Sequence, residues 1–161
     1  MSGNEVYDLI IVGGGPAGLT AGIYAMRAAL KTLLIEKGFP GGQVAVTKEV
    51  ENYPGFIKIG GLDLGDKFLQ HAKWYQLEIV EQEAIATEPG IGYHAVRFSD
   101  GTILKAQAII LATGGTARKL NIPGENENFG MGVSYCATWA IFGKSMPTRL
   151  SSPRRMGAPR P

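Results

Sequence analysis

Short apolar runs alternate with glycine-containing turns over most of the chain. Residues 7–12 (YDLIIV) and 32–36 (TLLIE) are apolar, largely branched and bounded by turn signals, which predicts two buried strands. Between them, Leu19, Ile23, Met26 and Leu30 recur on one face of a predicted helix over 16–30, and Pro16 suits its first turn, where a missing N–H costs nothing. Strand, tight turn, helix and strand together predict a right-handed βαβ unit with parallel strands. Further on, Leu64, Phe68, Ala72 and Tyr75 mark a second helix, and 78–83 reads as a strand. Two strands over 93–98 and 102–105 flank Ser99-Asp100-Gly101, a strong hairpin signal. A last buried strand over 108–112 (AIILA) ends at Thr113-Gly114-Gly115.

Composition adds bounds to this picture. With 161 residues, 45% of them hydrophobic, the chain can build one real core and not two full domains. Its single cysteine excludes an intrachain disulfide framework and a cysteine-rich zinc site. His71 and His94 have no partners at metal-ligand or triad spacing and read as structural or surface residues, and Trp74 and Tyr75 as core or helix surface. The net charge of +2 is uneven: residues 143–161 carry five cations, four prolines and no acid, leaving 11 basic and 14 acidic side chains before them. That segment reads as a disordered basic tail, so the mild basicity does not imply a nucleic-acid-binding domain. No run of about 18 uncharged apolar residues suggests a membrane span, and the first residues do not resemble a secretory signal. A cytoplasmic protein is expected.

Gly13-Gly14-Gly15-Pro16-Ala17-Gly18 fits G-x-G-x-x-G, and it follows a predicted strand and opens a predicted helix. Gly13 permits the sharp turn, Gly15 lets a pyrophosphate approach the backbone, and Gly18 lets the helix pack close to the strand. The helix N-terminus offers free N–H groups and partial positive charge to phosphates. Glu36 closes the second strand, where a carboxylate accepts hydrogen bonds from ribose hydroxyls and repels a 2′-phosphate. The adenosine of FAD or NAD is therefore favoured over that of NADP, and the loop does not distinguish FAD from NAD.

Four further segments follow in order: Gly41-Gly42-Gln43; Val50-Glu51-Asn52-Tyr53-Pro54-Gly55-Phe56; Leu111-Ala112-Thr113-Gly114; and Ile122-Pro123-Gly124-Glu125 with Gly132-Val133-Ser134-Tyr135-Cys136-Ala137-Thr138. With the glycine loop, this succession resembles the N-terminal half of the low-molecular-weight thioredoxin reductases, from about Asp8 to Thr138. The resemblance implies FAD at the first loop, NADPH as reductant, thioredoxin as partner and, usually, a homodimer. By position it implies Gly13, Gly15, Pro16 and Ala17 at the pyrophosphate, and Glu36 at the adenine ribose. It further implies Gly42 and Gln43 along the FAD path, Asn52 near the flavin, and Thr113 and Gly114 approaching FAD from another strand end. Amides such as Gln43 and Asn52 can donate to and accept from flavin or ribitol oxygens without adding charge.

The chain departs from that family at its redox site. The family carries Cys-Ala-Thr-Cys followed by Asp-Gly, whereas here Cys136-Ala137-Thr138 is followed by Trp139. Two thiols at that spacing cycle between dithiol and disulfide, and Cys136 alone cannot. No second G-x-G-x-x-G/A follows residue 139. The expectation is a truncated or frame-shifted member, with an incomplete α/β Rossmann-like FAD/NAD(P)-binding domain: a parallel sheet with a β-meander over residues 1–118. The start of the NADPH/dithiol domain follows over 119–142 and the tail over 143–161. The expected function is that of an FAD-dependent, thioredoxin-reductase-type oxidoreductase, inactive as it stands, with Cys136 as the surviving catalytic thiol. The alternatives are a non-catalytic FAD- or NAD-binding module and a thioredoxin-reductase-like ferredoxin–NADP reductase lacking the cysteine pair.

Overall fold

The computed structural model describes residues 6–129, 131, 133 and 135. Cys136, Trp139 and the expected tail lie outside the described residues. The chain divides into two units, residues 1–115 and 116–161.

The first unit is an α/β Rossmann-like domain. Its elements are β1 (Val6–Val12), α1 (Pro16–Arg27), β2 (Thr32–Glu36), a short α2 (Gly42–Ala45), α3 (Gly61–Trp74), β3 (Glu78–Glu81), β4 (Ala84–Glu88), β5 (His94–Phe98) and β6 (Ile103–Leu111). The strands form one sheet in the order β3-β2-β1-β6-β5-β4. β1 lies parallel to both β2 and β6, β3 lies parallel to β2, and β5 pairs antiparallel with both β6 and β4. The expected βαβ unit is therefore present, and so is the meander.

Several boundaries differ from expectation for local reasons. α1 stops at Arg27 instead of running to Leu30, because Ala29 takes a left-handed conformation (φ 57°) that ends the helix. The strand expected over 78–83 ends at Glu81, and the unpredicted β4 begins three residues later. The two strands expected over 102–105 and 108–112 are one continuous strand, β6. Its first residues pair with β5, while its length from Lys105 to Leu111 pairs with β1.

The connection between β3 and β4 dictates how the sheet bends. The two strands occupy opposite edges, which in a flat sheet would place them five strand spacings, about 24 Å, apart. Only Gln82 and Glu83 join them, and three Cα steps reach about 11 Å. The sheet must curl so that the meander lies across one face of the parallel strands. The packing agrees: Val96 and Phe98 of β5 and Leu104 and Ala106 of β6 are buried with Ile10, Leu33 and Ile35 of β1 and β2. The opposite face is covered by the helices, with Leu19 and Ile23 of α1 and Leu69 and Ala72 of α3 packed on Leu9, Ile11 and Leu34. Helices on one side and a meander on the other leave the carboxyl ends of β1, β2 and β6 as the open rim.

The second unit, in its described part, is organised around Glu125, which is 3% exposed. One carboxylate oxygen accepts the Leu120 N–H at 2.8 Å and the Tyr135 hydroxyl at 2.6 Å; the other accepts the Asn121 N–H at 2.6 Å. Tyr135 also stacks on Phe129 at 5.5 Å between centroids.

Candidate functional site

Three chain segments converge on the open rim. β1 and β6 are adjacent, and the chain leaves β1 toward β2 on one side while β6 enters on the other. The winding of the sheet thus reverses between them. In open α/β sheets the crevice outside the strand ends at such a reversal is where ligands bind. Gly13 follows β1 and Thr113 follows β6, so both lie at this point.

The glycine loop is shaped by close approach. Gly13 has φ 112°, and a Cβ there would overlap the carbonyl oxygen of Ala112. Gly18 sits in the first turn of α1, and a Cβ there would overlap the carbonyl oxygen of Gly13. Gly15 is the N-cap of α1 and supplies no side-chain cap, and Pro16 takes the first helical position. The first-turn N–H groups of α1 thus keep no side-chain partner from the cap residue. A Cβ built on Gly15 meets only the Cα of Gly42, at 3.8 Å, so the space above it is open apart from that loop.

A cleft of about 160 Å³ lies beside this loop, lined by Val12, Gly13, Ile35, Glu36, Lys37, Gln82, Glu83, Ala84 and Thr113. It is smaller than the roughly 300–1,000 Å³ of a whole small-molecule site. It suits one nucleoside-sized piece of a larger ligand. Of the residues singled out in the sequence, Gly13, Glu36 and Thr113 line it. Gly15, Pro16 and Ala17 stand at the adjoining start of α1. Gly42 packs against Gly15, and Gln43 reaches back with its side-chain amide to the Gly115 carbonyl at 3.5 Å. Asn52 and Gly114 do not line the cleft: Asn52 is exposed in the segment closed by the Val50–Ile59 bridge, and Gly114 turns the chain at φ 71°.

Sequence reasoning missed Lys37, Gln82, Glu83 and Ala84. The signal was the end of a strand parallel to β2, since whatever follows it emerges on the same rim as Glu36. The Gln82 N–H donates to the Glu36 carbonyl at 3.0 Å, carrying that connection alongside β2. Lys37 and Glu83 pair across it at 4.0 Å.

The donor set fits the ADP half of a dinucleotide. Uncapped helix N–H groups and a side-chain-free Gly15 suit a pyrophosphate, and Glu36 beside the cleft suits ribose hydroxyls. Among the described residues no group of histidine, cysteine or acid side chains could hold a metal ion, and no helix is long and apolar enough to cross a membrane. His71 rests against Tyr75 on α3 and His94 accepts the Gly90 N–H, while Trp74 is exposed.

Comparison with known proteins agrees with this geometry. A family profile described as pyridine nucleotide-disulphide oxidoreductase matches residues 7–150, running past Thr138, where the residue-by-residue resemblance stops. Thioredoxin reductase of Bacillus subtilis is 47% identical over 137 residues, 85% of this chain and 43% of that protein. Thioredoxin reductase of Listeria monocytogenes is 50% identical over 136 residues, 84% of this chain and 42% of that protein. The crystal structure of thioredoxin reductase from Streptococcus pyogenes superposes with a TM-score of 0.75 at 39% identity, covering 84% of this chain and 44% of that one. The chain spans less than half the length of these relatives.

Proposed function

The chain belongs to the pyridine nucleotide-disulphide oxidoreductase family, and from that premise we propose that it is the FAD-binding part of a thioredoxin-reductase-type enzyme. The observation that carries this reading is the meeting of the α1 N-terminus, Gly15, Glu36 and Thr113 around one cleft at the sheet's reversal point.

In this reading the first-turn N–H groups of α1, with Gly13, Gly15, Pro16 and Ala17, hold the pyrophosphate by charge and close approach. Glu36 accepts the adenine-ribose hydroxyls and disfavours a 2′-phosphate. Gln82, Glu83 and Ala84 wall the adenine side of the cleft. Gly42 and Gln43 line the path from the pyrophosphate, Asn52 stands toward the flavin, and Thr113 and Gly114 close in from β6. When bound, FAD supplies two-electron transfer between a nicotinamide and a thiol pair. In the full reaction of this type, NADPH is the reductant and thioredoxin the disulfide substrate.

Cys136 stands where the first thiol of that pair is expected, and Trp139 where the second is. A single thiol can attack a disulfide and form a mixed disulfide, but it has no neighbour to resolve it. The 161-residue chain is therefore expected to bind flavin without sustaining thioredoxin reduction.

The test is purification of the chain with and without added FAD, followed by absorbance spectroscopy and titration with ADP and 2′-phospho-ADP. A yellow protein that binds ADP more tightly than its 2′-phosphate supports the reading. Folded, colourless protein that takes NADH and refuses FAD would replace it with an NAD-binding module.

A further inference from the structure

Glu36 does more in this structure than line the cleft. Its Oε2 accepts the Gly14 N–H at 2.6 Å, and its Oε1 accepts the Gly38 N–H at 3.1 Å. The other side of the Gly14 residue is held as well, because its carbonyl accepts the Gly41 N–H at 2.8 Å. Gly42, the next residue, packs on Gly15. One carboxylate thus bridges two glycine loops, 13–15 and 38–42, that lie more than twenty residues apart in the chain and together form the wall facing the phosphate site.

A carboxylate has about four lone-pair sites, so two backbone N–H groups leave acceptor capacity for ribose hydroxyls. Hydrogen bonds to a charged acceptor are stronger than neutral ones and here fix two glycines, Gly14 and Gly38, residues with much backbone freedom to lose. We propose that Glu36 is a positioning residue that preassembles the two glycine loops, so that the phosphates of an adenine dinucleotide dock on a cradle already formed. Its ribose contact is additional to this role. The identity of the ligand rests on the FAD reading above; the clamp itself does not.

Two variants separate the roles. Glu36→Gln keeps an oxygen acceptor and adds a donor, so it can still meet a ribose hydroxyl, but its amide nitrogen cannot accept from a second backbone N–H. Gly14→Ala leaves the carboxylate intact and pushes it away, since a Cβ there would stand 3.0–3.2 Å from the Glu36 side chain. Amide hydrogen exchange of the ligand-free chain is the first readout. The expected result is faster exchange, by about tenfold or more, at Gly14, Gly38 and also Gly41, whose partner is Gly14 and not Glu36. Core amides such as those of Val96 and Phe98 should keep wild-type protection. If Gly41 exchanges at the wild-type rate in both variants, the loops do not depend on the clamp and the proposal is overturned. Should Glu36→Gln fail to fold, Gly14→Ala reads the same relation from the other loop.

ADP binding kinetics give the second readout. Loss of a preformed cradle lowers the competent fraction, so the association rate should fall several-fold with the dissociation rate little changed. A faster dissociation with unchanged association would assign Glu36 to ribose contact alone and overturn the clamp. Wild-type chain that binds no ADP would sink the FAD reading, while the exchange result would still decide the clamp.

Discussion

A Cβ built on Gly18 would overlap the carbonyl oxygen of Gly13, and its next neighbour would be the Ile11 side chain at 3.4 Å. The first turn of α1 therefore rests on the backbone that leaves β1, with no space between them. Backbone cannot rotate away as a side chain can, so Gly18→Ala must push the helix off the strand. We expect a loss of about 2 kcal/mol or more in urea unfolding and, on the FAD reading proposed above, loss of flavin. Unchanged stability and flavin retention would show that the helix can shift freely and that its close packing does not set the site.

Gly22, one turn later on the same helix, provides the contrast. A Cβ there would collide with the end of the Leu77 side chain, not with backbone. Leu77 can change rotamer, so Gly22→Ala should cost less than about 1.5 kcal/mol and, on the FAD reading proposed above, leave flavin binding as in the parent chain. Shortening the neighbour in Gly22→Ala/Leu77→Val should recover part of the loss, giving a favourable coupling in a double-mutant cycle. Additive effects would mean that the two residues do not share the space.

The parts of the fold legible in the sequence are those whose signal is local. β1, the glycine loop, α1 and β2 each carry a period, a turn residue or a helix-start residue within a few positions, and the structure reproduces them. β4 carried no signal because Ile85, Ala86, Thr87 and Glu88 are all exposed, so no apolar alternation exists to read. β6 was divided because Lys105 and Gln107 interrupt its apolar run. Pairing with β1 on one side and β5 on the other holds those residues in the strand regardless. At the site, Glu36 was legible from its position at the end of β2. Its grip on Gly14 and Gly38 was not, because that depends on how two loops meet. Gln82 and Glu83 were missed for a related reason: they enter the cleft through the curl of the sheet, which follows from strand order.

That curl makes Phe98 a test of the architecture. It is fully buried, on β5, against residues of β1 and β2 that belong to the parallel part of the sheet. If the meander closes this face, Phe98→Ala opens a cavity in the shared core and should cost about 3–5 kcal/mol in denaturant unfolding. A cost below about 1 kcal/mol would mean that the meander contributes little to the core beneath it.

The second unit should respond to pH at both ends of the range. The hydrogen bond from Tyr135, and then the backbone N–H groups of Leu120 and Asn121, hold the Glu125 carboxyl below its ordinary value of 4.5. The same bond holds the Tyr135 phenol above its ordinary value of 10.0. For Glu125, the folded state binds its proton less readily than the unfolded state, so its contribution is present above the ordinary carboxylate value and is lost as pH falls through the depressed one. For Tyr135, the folded state holds its proton more tightly, so its contribution is present below 10.0 and is lost as pH rises through the raised value. Order in this unit should therefore form a plateau between the two, measurable from the tyrosine absorbance change of Tyr135 and from amide exchange at Leu120 and Asn121. Glu125→Gln should return the Tyr135 phenol toward its ordinary range and release those two amides together. Tyr135→Phe should raise the Glu125 pKa while leaving the Asn121 amide protected, because Oε2 keeps that bond. A Tyr135 titration unmoved by Glu125→Gln would show that the hydroxyl is not held by this carboxylate.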